Sequence, residues 1–236
     1  MKELFDKLYN KEESSFYNIL SKNLKNNKKM FIVTANPETF MISEKDEDMK
    51  DLLLDKNTIL VPDGIGIVKA ARMINYDVKE RITGIDIANK LLELGNIQKK
   101  SIYLFGSKQE VIDSMKNVIK EKYLNLVLVG ATNGYEKDKD KVFEKIAKQK
   151  PDIVLVALGI PAQEKLIYKH LDKFDKGIFV GVGGSFDVIS GHKKRAPKIF
   201  IKLNLEWLYR ILKEPKRLKR FYDSNIKFLF KVKKYK

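Results

Sequence analysis

Asp63 stands where a carboxylate could act as a base. Residues 58–61 read as a buried strand that stops at Pro62, and the carboxylate follows at once, with Gly64 and Gly66 behind it. In an open α/β sheet, ligands sit just beyond the carboxyl ends of the strands. The flanking glycines would let a ligand approach the backbone. The same Pro-Asp-Gly is equally a turn signature: Pro presets φ, Asp bonds locally and Gly accepts positive φ. Thr34 and Asn36 follow a second apolar run, residues 30–33, and would face the same sheet edge. Pro37 then suits the first turn of a helix, so capping is the other reading of Asn36. Arg81 lies in a loop between two helices that start from that side; it could reach the site, or simply be solvated. Asp86, in the first turn of the next helix, complements its dipole. Gln163 and Glu164 open another helix, where capping accounts for both; Gln163 could instead bond a sugar hydroxyl or amide.

The elements that must hold these residues alternate strand and helix. Strands are expected near 30–33, 58–61, 101–105, 126–129, 152–158 and 177–182, with helices near 46–54, 64–75, 84–94, 108–121 and 138–148 and from Gln163 onward. One or two further helices precede them, within residues 3–27. This spacing predicts right-handed βαβ units, hence an α/β fold with a mainly parallel, Rossmann-like sheet flanked by helices. Three strands of the second half end in glycine, at Gly106, at Gly159 and at Gly181, Gly183 and Gly184. Glycine at such junctions lets a phosphate or ribose approach backbone N–H groups at a helix N-terminus, and three on one edge point to a nucleotide. Neither G-x-x-x-x-G-K-[ST] nor a G-x-G-x-x-G after the first strand is present, which argues against a P-loop NTPase or a standard NAD enzyme. With His170 and His192 the only histidines, no cysteine and no H-E-x-x-H, no metal site is expected.

The 236 residues suffice for one large domain or a domain with an appendage. No apolar run approaches the ~20 residues that span a bilayer, and the polar N-terminus has no signal-like apolar stretch. A soluble or peripheral protein of a reducing cytosol is expected. Charge divides the chain. From His192 onward, sixteen Lys and Arg face three acids, which accounts for +13 of the net +16. Residues 1–191 therefore read as an α/β catalytic body and 192–236 as a basic amphipathic helical appendage. Apolar residues recur at helical spacing from Ile199 to Ile211, and again from Leu218 to Val232 beyond Glu214-Pro215. Such helices lie on anionic membranes, apolar side down; packing on the protein's own body is the alternative. The stripes suit a surface or groove better than a phosphate backbone, which argues against nucleic acid.

Taken in order, Thr34-x-Asn-Pro-Glu38, Pro62-Asp-Gly-x-Gly66, Arg81-x-x-Gly84-x-Asp86, Gly159-x-Pro-x-Gln-Glu164 and Gly181-Val-Gly-Gly-x-Phe-Asp187 form a series. It continues with Gly191-x-x-x-Arg195-Ala-Pro197 and Leu205-Glu-Trp-x-x-Arg210-x-x-x-Glu-Pro-x-Arg217-x-x-Arg220. Over about residues 30–220 the chain resembles the WecG/TagA/CpsF glycosyltransferases (glycosyltransferase family 26), and within them the TagA-type branch of wall teichoic acid synthesis. The resemblance implies transfer of N-acetylmannosamine from a UDP donor to N-acetylglucosamine on undecaprenyl diphosphate, through a β-1,4 link. The reaction would invert the anomeric centre, at the inner face of the cell membrane, without a bound metal or other cofactor. It leaves open a homo-oligomer. A relative using UDP-N-acetylmannosaminuronic acid or UDP-glucose is the runner-up, and a nonenzymatic basic binding protein the reading from another class.

Under that resemblance, inversion needs one base for the acceptor hydroxyl, and Asp63 is the candidate. Thr34 and Gln163 would position the sugar or the hydroxyl. Arg81 from the body, with Arg210, Arg217 and Arg220 from the tail, would offset the diphosphate charge. Asn36, Gly64, Gly106, Asn133, Gly134, Tyr135, Gly159, Gly183, Gly184 and Asp187 complete the expected substrate-binding set, with Asp187 accepting from ribose.

Overall fold

The apolar runs become a sheet of six parallel strands. In a computed structural model describing residues 1–235, these are β1 (Lys29–Ala35), β2 (Thr58–Pro62), β3 (Ser101–Gly106), β4 (Val127–Thr132), β5 (Ile153–Ala157) and β6 (Gly177–Gly181). Their order is β2-β1-β6-β5-β3-β4. Helices α1 (Lys2–Asp6) and α2 (Glu13–Lys25) precede the sheet. Between β1 and β2 lie α3 (Pro37–Ser43) and α4 (Glu47–Leu54), and between β2 and β3 lie α5 (Ile65–Met73) and α6 (Gly84–Ile97). The next three crossovers are α7 (Gln109–Lys122), α8 (Lys139–Gln149) and α9 (Ala162–His170), and α10 (Ser185–Ile189) follows β6. The α/β, mainly parallel architecture expected from the sequence is the one observed.

Most strands read as continuous apolar runs because both faces of the sheet are covered. Alternate residues of β1 divide between two cores: Phe31, Val33 and Ala35 join Phe5, Phe40, Leu52 and Ile167 on one face. Met30 and Ile32 join Phe16, Leu91 and Ile112 on the other. The crossovers after β3 and β5 run in opposite directions across the sheet, towards β4 and β6 respectively. The crevice between these two strand ends is therefore a topological switch point, where open α/β sheets take ligands.

The tail departs from a simple pair of helices. It forms α11 (Lys198–Lys202), α12 (Glu206–Lys213), α13 (Arg217–Phe221), a π-helical turn at Tyr222–Ile226 and α14 (Lys227–Lys233). The expected helix around 199–211 breaks at Asn204, whose φ of 59° is left-handed, the conformation that asparagine tolerates best after glycine. Trp207 and Phe221 stack at 4.5 Å and tie α12 to α13. The apolar side of α14 is used by the body. Phe228 and Val232 are fully buried, and Phe228 packs edge-on to Phe40 at 5.6 Å and stacks near Phe5 at 6.3 Å. Lys231 pairs with Glu44 of the body beside them. For this last helix, packing on the body is what occurs.

Phe228→Ala should therefore destabilise the whole protein by about 3–5 kcal/mol, the usual cost of emptying a buried phenylalanine site. At about 2–4 °C per kcal/mol for a chain of this size, thermal unfolding should move down by roughly 6–20 °C. A shift of a degree or less would mean that α14 does not dock in solution.

Candidate active site

Asp63 hangs from the carboxyl end of β2, with its own N–H donating to Ala35 of β1 at 2.9 Å. The loop before α6 crosses this strand end, where Ile82 N–H donates to Pro62 at 2.8 Å. Thr83 then caps α6, accepting from the Asp86 N–H at 3.3 Å, which puts Asp86 in the structural place expected for it. The Gly84 N–H, in the first turn of α6, points at Asp63 Oδ2 from 3.4 Å. A Cβ at Gly84 would lie 3.5 Å from Thr34 Oγ1. Asp63 and Thr34, from neighbouring strands, thus meet at the same helix start. Burial pushes the Asp63 carboxyl up to about 6; Arg210, the Gly84 N–H and Arg81 pull the other way, in that order, and Glu206 adds to the rise. A carboxyl group with that value is ionised at neutral pH yet basic enough to take a proton in a transition state.

The glycines fall into two kinds that sequence does not distinguish. A Cβ at Gly106 would come within 2.4 Å of the Ala157 carbonyl, and one at Gly134 within 3.0 Å of Leu158 and 3.1 Å of Ser107 N. At these two positions glycine allows close packing against the neighbouring chain. Gly64, Gly159, Gly183 and Gly184 have nothing within 4 Å of a built Cβ, and their turns stay open.

The polar candidates also separate. Asn36 is the N-cap of α3, its amide oxygen accepting from the Thr39 N–H at 3.0 Å, as the capping reading had it. Gln163 is buried: its oxygen accepts from the Gly159 and Gly183 N–H groups, each at 3.1 Å, and its amide donates to Glu164 at 2.7 Å. Asn133 accepts from the Tyr135 N–H at 2.8 Å and donates to Gln109 at 2.8 Å, shaping the loop that carries the exposed Tyr135 ring. Asp187, in α10, accepts from Ser107 Oγ at 3.4 Å across the β3–β5 switch point, with Lys193 3.9 Å away.

Most of the expected diphosphate arginines already have anions. Arg81 pairs with Glu206 of α12 at 2.8 Å and donates to the Ile201 carbonyl at 3.3 Å. It fastens the tail over the site instead of presenting a free guanidinium. Arg217 pairs with Glu214 at 2.7 Å, and Arg220 makes a two-pronged pair with Glu38, its closest contact also 2.7 Å. Among the described residues Arg210 has no ion-pair partner, and it is the strongest charge pulling on Asp63. The sequence reading missed Glu206, which is buried and also faces Arg195 at 3.6 Å, while Arg195 reaches Asp86 at 2.7 Å. The available signal was that Glu206 is one of only three acids in a tail of sixteen cations.

Residues 6–236 match the glycosyl transferase WecG/TagA/CpsF family. A Bacillus subtilis relative named N-acetylglucosaminyldiphosphoundecaprenol N-acetyl-beta-D-mannosaminyltransferase is 45% identical over 189 residues, 80% of this chain and 73% of its own length. A Bacillus spizizenii protein of the same name is 41% identical over 197 residues, covering 84% and 76% of the two chains. One from Staphylococcus aureus is 34% identical over 207 residues, covering 88% and 81%. With the motif series falling on the carboxyl edge of the sheet and on the tail docked against it, the chain belongs to the WecG/TagA/CpsF family of glycosyltransferases.

Proposed function

We propose that this glycosyltransferase moves N-acetylmannosamine from UDP-N-acetylmannosamine to the N-acetylglucosamine of an undecaprenyl-diphosphate lipid, with inversion, in wall teichoic acid linkage-unit synthesis. The observation that carries this reading is the meeting of Asp63 and Thr34 at the start of α6, in a chain whose relatives bear the name of that activity. Asp63 takes the proton of the acceptor hydroxyl. The oxygen bonds the anomeric carbon from one face while the bond from that carbon to the UDP oxygen breaks on the other. Thr34 orients the hydroxyl or the sugar. Arg210 meets the charge that develops on the leaving diphosphate. The turns at Gly64, Gly159 and Gly183-Gly184, open on the side where a Cβ would stand, let the donor approach the backbone closely, and Asp187 accepts from the ribose.

The acceptor is a membrane lipid, and no helix among the described residues is long and apolar enough to cross a membrane. The protein reaches its acceptor as a peripheral protein at the inner face of the membrane. Ile199, Leu203, Trp207, Leu212, Leu218 and Tyr222 are exposed on the tail among its lysines and arginines, a composition suited to an anionic bilayer surface. On this reading the membrane-facing part of the appendage is α11–α13, while α14 anchors it to the body.

The test is UDP release from UDP-N-acetylmannosamine with a short-chain lipid-diphospho-N-acetylglucosamine acceptor and EDTA. Acceptor-dependent release is the expected result. An inert protein that turns over UDP-glucose or UDP-N-acetylmannosaminuronic acid instead would replace the donor, and inertness towards all three would overturn the reading.

A further inference from the structure

Glu164 is the most deeply buried acid next to the site, 1% exposed, and among the described residues it pairs with no cation. One carboxylate oxygen accepts from the Gln163 amide at 2.7 Å; the other is buried without a partner among the described residues. A buried carboxyl with one oxygen unsatisfied costs free energy, so what its satisfied oxygen does is informative.

That oxygen meets the one amide that joins two turns. Gly159 follows β5 and Gly183 follows β6, and these strands are neighbours in the sheet. A single atom, Gln163 Oε1, accepts from both N–H groups at 3.1 Å each. The amide lies flat against the end of β6, where a Cβ at Gly181 would stand 2.5 Å from Gln163 Nε2. If the amide turned over, its NH₂ would face two N–H donors and its oxygen would face a carboxyl oxygen. Each mismatch leaves a buried polar group unsatisfied, which disfavours the turned-over amide.

We propose that Glu164 is a positioning residue for the transfer: its carboxyl holds the Gln163 amide in the orientation that ties the Gly159 and Gly183 turns into one floor beneath the donor. This rests on the reading above that those turns receive the UDP-sugar. Burial pushes the Glu164 carboxyl up to about 7, and the nearby Glu38 charge of α3 adds to the rise; the Gln163 amide and the helix-start N–H oppose it. Protonation does not remove the role, because a neutral carboxyl still accepts through one oxygen.

Glu164→Leu and Glu164→Gln test this in the full chain. Leucine removes the acceptor, whereas glutamine can present an amide oxygen to Gln163 without charge. In Glu164→Leu, the KM for UDP-N-acetylmannosamine and the Kd for UDP should rise about tenfold, the worth of one well-made hydrogen bond. Its kcat should stay within about threefold, the pattern of lost uniform binding. Its melting temperature should stay within a few degrees of wild type, because losing the unsatisfied carboxyl oxygen offsets leaving the Gln163 NH₂ without an acceptor. Glu164→Gln should keep both constants within about threefold of wild type, and Glu164→Met repeats the leucine arm should that variant not fold. Unchanged donor constants in Glu164→Leu would overturn the proposal, as would kcat and melting temperature falling together with KM unmoved. So would a Glu164→Gln variant as impaired as the leucine one. Wild-type protein that neither binds UDP nor transfers sugar would overturn the underlying reading of the turns, and this inference with it.

Discussion

Asp63→Asn should all but abolish transfer while UDP binding survives. The expected fall in kcat is about 10³-fold, within the roughly 10²–10⁴-fold that a positioned general base contributes. The pH dependence supplies the sharper test. Asp63 must be ionised to accept a proton, and burial pushes its carboxyl up to about 6. Wild-type activity should therefore be nearly full at pH 7–8 and fall about tenfold per unit below pH 6. Residual activity in the Asn variant should lack that limb. Stability should move the other way. An acid whose folded pKa lies above its unfolded one binds more protons in the folded state, so its contribution to stability falls as pH rises from about 4 to about 6 and is fully unfavourable above that. Asn removes the group that is costly to ionise there. At pH 7 the variant should be as stable as wild type or more so, by up to about 3 kcal/mol. An inactive variant with a lowered melting temperature would indicate a structural carboxylate; an active one would move the base elsewhere.

The sequence made some of this site legible and hid the rest for identifiable reasons. Asp63 and Thr34 could be found because strand ends are marked by local signals: an apolar run, then Pro62 or Asn36-Pro37. The strand–helix rhythm placed both at one edge of the sheet. The pairing of Arg81 with Glu206 was not legible, because Glu206 lies on a helix whose position no local pattern encodes. The bond from Gly183 to Gln163 was hidden for the same reason, since Gly183 reaches it only through the pairing of β5 with β6. Gly106 and Gly159 look alike in sequence, each ending a strand. Only the neighbour across the sheet, the Ala157 carbonyl beside Gly106 and open space beside Gly159, separates a packing glycine from an accessible one. In the tail, the apolar spacing was right, but nothing in the periodicity indicated that Phe228 and Val232 would enter the body's core while Leu212 and Leu218 stay exposed. A truncation at residue 191 would therefore remove core side chains along with any catalytic arginine, and loss of activity in it would not identify the cause.

A point substitution avoids that confusion, and Arg210→Ala should be the most damaging change in the tail. Glu214 and Glu38 already hold Arg217 and Arg220, whereas Arg210 has no ion-pair partner among the described residues and exerts the largest opposing charge on Asp63. Two consequences follow from one guanidinium. Loss of the charge aimed at the leaving diphosphate should lower kcat by about 10²–10³-fold, the range for a preorganised electrostatic donor. Loss of the same charge near Asp63 should also let its carboxyl rise above the value of about 6, so the acid limb of the rate profile should move to higher pH. Arg210→Lys keeps the charge but not the planar fork, and should return the limb towards its wild-type position while recovering only part of the rate. Because base and cation act in one step, Asp63→Asn and Arg210→Ala combined should cost less than the product of the two. Arg217→Ala and Arg220→Ala, whose guanidinium groups are already paired, should each cost less than Arg210→Ala. An Arg210→Ala enzyme with wild-type rate and an unmoved limb would leave the tail as a docking element alone, and the charge on the leaving group would then need a donor from the body.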